Sequence, residues 1–142
     1  MSDPLLEIKN LVTGFETESG LMKAVDGDSF TVPKGTRVGI VGESGCGKSV
    51  TAMSIVRLLP QPMGKILDGQ ILFKGRDLVQ AKETDMPGIR GRHIGGIFQE
   101  PMTALNPVHS ISRQIGESRM LHRGMNTREA RDAAIQLLQR VR

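Results

Sequence analysis

The stretch Gly42-Glu43-Ser44-Gly45-Cys46-Gly47-Lys48-Ser49 satisfies the spacing G-x-x-x-x-G-K-[ST], and it constrains the fold more than any other part of the chain. Glycines let the backbone turn tightly and aim successive N–H groups at one point. A helix must follow at once, so that its unpaired N–H groups and its positive dipole end face that same point. The flanks predict this context. "TRVGIV" (36–41) is short, apolar and β-branched, and reads as a strand. "SVTAMSIVRLL" (49–59) reads as a helix stopped by Pro60 and Pro62. An ordinary Gly/Ser turn that happens to carry a lysine does not require a strand before it and a helix after it. The chemistry served by such a loop is phosphate binding. Lys48 places a point charge near terminal phosphates, and the Ser49 hydroxyl is available to Mg²⁺. Cys46 has no activating base beside it in sequence, so it reads as a small loop residue and not as a nucleophile.

Around this loop the β signals come first. Residues 5–15 read as a strand and 16–20 as a turn or loop, while 21–35 reads as two short strands about Asp26-Gly27. Strands gathered before any helix suggest an antiparallel layer. Farther on, 69–78 and "HIGGIF" (93–98) read as strands, 81–91 as a polar loop with at most a helical turn, and 99–110 as a loop with two prolines. Helices are predicted over 111–124, closed by Gly124, and over 127–142, with Thr127 as N-cap. The methionines are dispersed, which suits core filling more than metal binding.

Composition narrows the function classes. One domain is expected from 142 residues. Lys and Arg exceed Asp and Glu by 19 to 15, but the charges are scattered, so no nucleic-acid partner is expected. Tyr and Trp are absent, which leaves any ring stacking to the four Phe. A single cysteine excludes an internal disulfide and fits a reducing compartment. No run approaches the roughly 20 apolar residues of a membrane span, and "MSDPLLEIKN" lacks the features of a signal peptide. The chain is expected to be cytoplasmic, with any membrane role exercised through a partner.

Two stretches together, "VGESGCGKSVTAMSIVRLLP" and "IFQEPMTALNPV", resemble the ATP-binding subunits of ABC transporters, in the branch that imports oligopeptides, dipeptides or nickel. The phosphate loop alone spans many functions, so the second stretch discriminates. The resemblance runs from about Leu5 to the last residue. It implies an α/β P-loop NTPase fold, the N-terminal half of an ATP-binding cassette. An antiparallel β subdomain (about 1–35) is expected, then a truncated RecA-like core (about 36–110) and the start of a helical region (about 111–142). It implies that Phe15 stacks on adenine. It implies that Gly42, Glu43, Ser44, Gly45, Cys46, Gly47, Lys48, Ser49 and Val50 line the phosphates of ATP. Lys48 and Gln99 are the implied catalytic residues, and Ser49 and Gln99 the implied Mg²⁺ ligands. A neutral amide such as Gln99 can meet Mg²⁺ and orient water without adding charge. The 99–110 loop is implied to touch transmembrane permease subunits. A second cassette as dimer partner, an indirect link to a solute-binding protein, and a peripheral place on the inner face of the membrane also follow from the resemblance.

The sequence departs from that family in three ways. It has no "LSGGQ"-like segment and no Asp-Glu pair, and His93, His109 and His122 all precede the place of the family's switch histidine. The expected parent activity is ATP hydrolysis coupled to import of peptides or similar small solutes, and these 142 residues by themselves are expected to bind ATP without hydrolysing it. The alternatives are a non-hydrolysing nucleotide-binding or regulatory module and a DNA-associated ABC ATPase.

Overall fold

The computed structural model describes residues 4–100 and 104–141. The chain forms two compact units, Met1–Glu83 and Thr84–Arg142. The first is built on a four-stranded antiparallel sheet in the order β2-β1-β3-β4, comprising β1 (Pro4–Thr17), β2 (Gly20–Pro33), β3 (Gly64–Phe73) and β4 (Arg76–Asp77). The turn or loop expected over 16–20 is a tight turn, with the Thr17 hydroxyl donating to the Gly20 carbonyl at 2.6 Å.

Asp26-Gly27 does not turn the chain. Leu11 pairs with Asp28 and Val12 with Asp26, so Gly27 is an extra residue bulged out of one continuous strand, at φ 89°. A glycine free to adopt positive φ serves a bulge as well as a turn, and pairing with the long β1 decides between them. The predicted 69–78 strand begins earlier, at Gly64, and folds back at Lys74-Gly75 to give the short β4.

Ile8, Leu11, Val25, Ile71 and Leu78 are buried in this unit. The helix after the Gly-rich loop, α1 (Lys48–Ile55), meets the sheet through hydroxyls. Buried Thr13 and Ser54 share a hydrogen bond of 2.9 Å. α1 ends before the expected residue 59 because Arg57 takes a left-handed conformation (φ 54°). Its guanidinium bonds the carbonyls of Leu78 and Ala81 and sits 3.2 Å from the Glu83 carboxylate. Those tertiary bonds outweigh the local preference to continue the helix.

The predicted strand at 36–41 does not form. Val38 and Ile40 are exposed and Val41 is 98% exposed, with no ladder partner among the described residues. β propensity expresses packing against a neighbouring strand, and without one it has nothing to act through.

A 3-10 turn, Glu83–Asp85, starts on the last residue of the first unit and leads into α2 (Met86–Ile89), and in the second unit α3 (Ile111–Arg123) pairs with α4 (Thr127–Arg140). Gly116 and Ala130, both buried, let these helices approach closely; a β-carbon on Gly116 would lie 3.3 Å from that of Ala130. The N-cap of α4 is Asn126 and not Thr127. Asn126 accepts from the Glu129 N–H, and the Glu129 carboxylate accepts from the Asn126 N–H, a reciprocal capping box. "HIGGIF" is not a strand. One isolated bridge links Arg90 and Ile94, and Ile97 and Phe98 are exposed. Among the described residues no helix is long and apolar enough to cross a membrane.

Candidate functional site

Gly47 fixes the phosphate-type loop. It is buried, left-handed (φ 92°), and forms the N-cap of α1. A β-carbon there would collide with the Ala24 carbonyl oxygen of β2 and lie 3.4 Å from Val25. The loop therefore ends against the sheet, in a conformation that costs other residues about 1–2 kcal/mol. Thr51 holds the first helical turn, its N–H and its hydroxyl both donating to the Gly47 carbonyl at 2.8 and 3.0 Å.

The N–H groups of Lys48, Ser49 and Val50 have no acceptor among the described residues. No side chain caps this helix end and no acidic residue lies in its first turn. Such an end attracts an anion. The Lys48 ammonium folds back over the loop, donating to the carbonyls of Gly42 at 2.7 Å and Glu43 at 2.6 Å, with the Cys46 sulfur at 3.5 Å. Residues 42–48 are thus closed into a ring by their own lysine.

Glu43, Ser44, Gly45 and Cys46 are exposed along this ring, and Cys46 lies so close to Gly42 that a β-carbon on Gly42 would overlap its sulfur. The Ser49 hydroxyl is exposed and has no partner among the described residues. Val50 is half-buried, and its carbonyl accepts from Ser54 at 2.7 Å. A positive charge, three converging free N–H groups and a free hydroxyl suit a phosphate chain with a hard cation.

Phe15 belongs to the same unit. It lies near the end of β1, opposite Met22 and Gly64, two residues beyond Thr13, whose hydroxyl reaches α1. It is half-buried, and a β-carbon on Gly64 would stand 3.0 Å from its ring. Gln99 lies in the second unit, exposed, in a bend after Phe98. Pro101, Met102 and Thr103 of the 99–110 loop lie outside the described residues; 104–110 is exposed.

Two contributors were not singled out from sequence. Gln114 of α3 staples the loop, accepting from the Asn106 N–H at 2.8 Å and donating to the carbonyls of Asn106 and His109 at 2.9 and 2.8 Å. Ala24 supplies the carbonyl against which Gly47 rests. Neither carries a compositional signal, since each acts through a contact between segments distant in sequence.

Residues 25–142 match the sequence family described as ABC transporter. The chain belongs to that family. It is 46% identical over 141 residues to a probable peptide ABC transporter ATP-binding protein of Sinorhizobium fredii, covering 99% of this chain and 42% of that one. It is 46% identical over 136 residues to the dipeptide transport ATP-binding protein DppD of Bacillus subtilis, covering 96% and 41%. The chain spans about two fifths of the length of these curated relatives. Among solved structures, the dimeric bacterial ABC transporter cassette MJ0796 superposes with a TM-score of 0.79 at 23% identity, over 94% of this chain and 56% of that one. These matches bear out the cassette fold and the peptide-importer resemblance. They favour the transporter over a DNA-associated ATPase or a regulatory module.

Proposed function

We propose that this ABC transporter chain binds Mg·ATP through residues 42–50, and that it contributes to a protein coupling ATP hydrolysis to import of peptides or similar small solutes. The observation that carries the reading is the ring closed by Lys48 over three unpartnered N–H groups at the start of α1. In this reading Gly42, Glu43, Ser44, Gly45, Cys46, Gly47 and Val50 line the phosphates. Lys48 exchanges its two loop carbonyls for phosphate oxygens, and Phe15 stacks on adenine. Ser49 offers its hydroxyl to Mg²⁺, which when bound would neutralise phosphate charge. Gln99 is assigned to Mg²⁺ and to the attacking water by the resemblance alone. The 99–110 loop is assigned to a permease, with a second cassette as dimer partner and a solute-binding protein indirectly linked, on the inner face of the membrane. The peptide-transport names of the relatives support the transport part of this reading.

These 142 residues by themselves hold ATP without sustained turnover. Phosphoryl transfer needs charge stabilisation and a placed base, and general-base help is worth about 10²–10⁴ in rate. The sequence has no Asp-Glu pair to supply it. The test is the thermal shift produced by Mg·ATP, alongside phosphate release. Ligand at about 100 times its Kd stabilises the fold by about 2.7 kcal/mol. Lys48→Ala should remove most of that gain. An undiminished shift in the variant overturns the binding site, and Lys48-dependent turnover near about 1 s⁻¹ overturns the second claim.

A further inference from the structure

The second unit contains a cavity of about 440 Å³ that the nucleotide reading does not use. Its wall carries Arg92, Arg119, His122 and Arg123, and no carboxylate lines it. None of these four basic side chains has an ion-pair partner among the described residues. His122 and Arg123 lie in the last turn of α3, where the helix dipole favours cations. That dipole does not account for Arg92, which comes from a different segment, nor for its convergence with Arg119 on one cavity. Like charges gathered without a counter-charge repel one another, and a bound anion removes the cost.

The cavity is shaped as well as charged. Gly91 is left-handed (φ 77°), and a β-carbon on it would stand 2.6 Å from Nε2 of His122, so the 90–94 segment closes directly onto the imidazole. Ser118 adds a hydroxyl, while half-buried Ile115 and Leu137 add an apolar portion to the lining.

The geometry points to a second anion site in this protein, one that takes a phosphate monoester. Arginine forks match the oxygens of a phosphate group. The volume falls within the range of small-molecule pockets, roughly 300–1,000 Å³, and exceeds what a bare phosphate fills. The organic part of the ligand rests on Ile115 and Leu137. A soluble monoester and a phospholipid headgroup present the same group, and the test separates them.

The 142-residue chain carrying Lys48→Ala, which removes the nucleotide site, is treated with phenylglyoxal, and each modified arginine is quantified by mass spectrometry. Glycerol 3-phosphate, inorganic phosphate, succinate and vesicles containing phosphatidic acid are compared as protectants. A protectant at ten times its Kd should slow modification at Arg92, Arg119 and Arg123 about tenfold, leaving exposed Arg76 and Arg128 unchanged. Protection by glycerol 3-phosphate above that by vesicles identifies a soluble ligand, and the reverse identifies a lipid. Equal protection by succinate, or protection no greater than at Arg76, overturns the proposal. As a check that needs no reagent, Arg119→Gln with Arg123→Gln should weaken calorimetric binding of the better phosphate ligand at least tenfold. Unchanged affinity in that variant also overturns it.

Discussion

Replacing Gly47 by alanine tests how the loop is held. Two separate costs arise. The backbone at φ 92° is left-handed, which a β-carbon makes unfavourable by about 1–2 kcal/mol. The new methyl also meets the Ala24 carbonyl oxygen. That oxygen belongs to β2 and cannot swing aside as the tip of a flexible side chain could, so overpacking adds about 1–3 kcal/mol. Reduced freedom of the unfolded chain returns about 0.4–1 kcal/mol. The net loss is about 1–5 kcal/mol, or roughly 3–20 °C in Tm. Gly45 supplies the control. It is also left-handed, at φ 83°, but a β-carbon there meets nothing within 4 Å. Gly45→Ala should therefore lose only the backbone cost, about 1 kcal/mol after the same offset. Urea unfolding of the two variants and the parent reads the difference directly, provided the dependence on denaturant is unchanged. Equal stability of Gly45→Ala and Gly47→Ala would refute the contact with Ala24 as the anchor of the loop.

Alkylating exposed Cys46, whose sulfur lies 3.5 Å from the Lys48 ammonium, should abolish the ATP-dependent thermal shift, while Cys46→Ser keeps the shift and resists the reagent; a full shift after complete alkylation contradicts the placement. Asn126→Ala should cost about 1 kcal/mol and Thr127→Ala less than about 0.5 kcal/mol, as read by denaturant unfolding, because Asn126 makes the capping bonds; the reverse order would restore Thr127 as the cap. The chain should self-associate through its exposed apolar segments, and Val41→Lys with Ile97→Lys should lower the mass seen by light scattering without lowering Tm; an already monodisperse monomer counts against this.

The sequence was most legible where its determinants are local. The glycine spacing, the lysine and the start of the helix are read off eight residues, and their bonds are short-range: Lys48 to Gly42 and Glu43 inside that span, and Thr51, just beyond it, to Gly47. The hairpin turn at 16–20 was local too. Where a choice depended on a distant partner, the same signals misled. Asp26-Gly27 suits a turn, yet pairing along β1 made it a bulge. The apolar run to residue 59 suits a helix, yet Arg57 is claimed by carbonyls at Leu78 and Ala81. Thr127 and Asn126 are both plausible caps. The choice falls to Asn126 because Glu129 is three residues beyond it and returns a bond to its N–H.

The two failed strands, 36–41 and 93–98, share one physical cause. Both are rich in residues that pair well in sheets, but neither meets a partner strand among the described residues. Exposed Val41 and Ile97 are consistent with strand-forming segments that have nothing to form against. The phosphate-type loop keeps its shape despite this, although the segment leading into it is one of the two. Its anchors do not run through that segment. Gly47 rests on β2, Thr13 of β1 bonds Ser54 in α1, and Lys48 closes the ring from inside. Phosphate affinity and strand pairing are therefore separable here. A substitution on the exposed side of 36–41 should alter association without touching the nucleotide-dependent shift, whereas Thr13→Val should leave association unchanged and weaken the seating of α1 by about 1 kcal/mol, the net worth of one hydrogen bond.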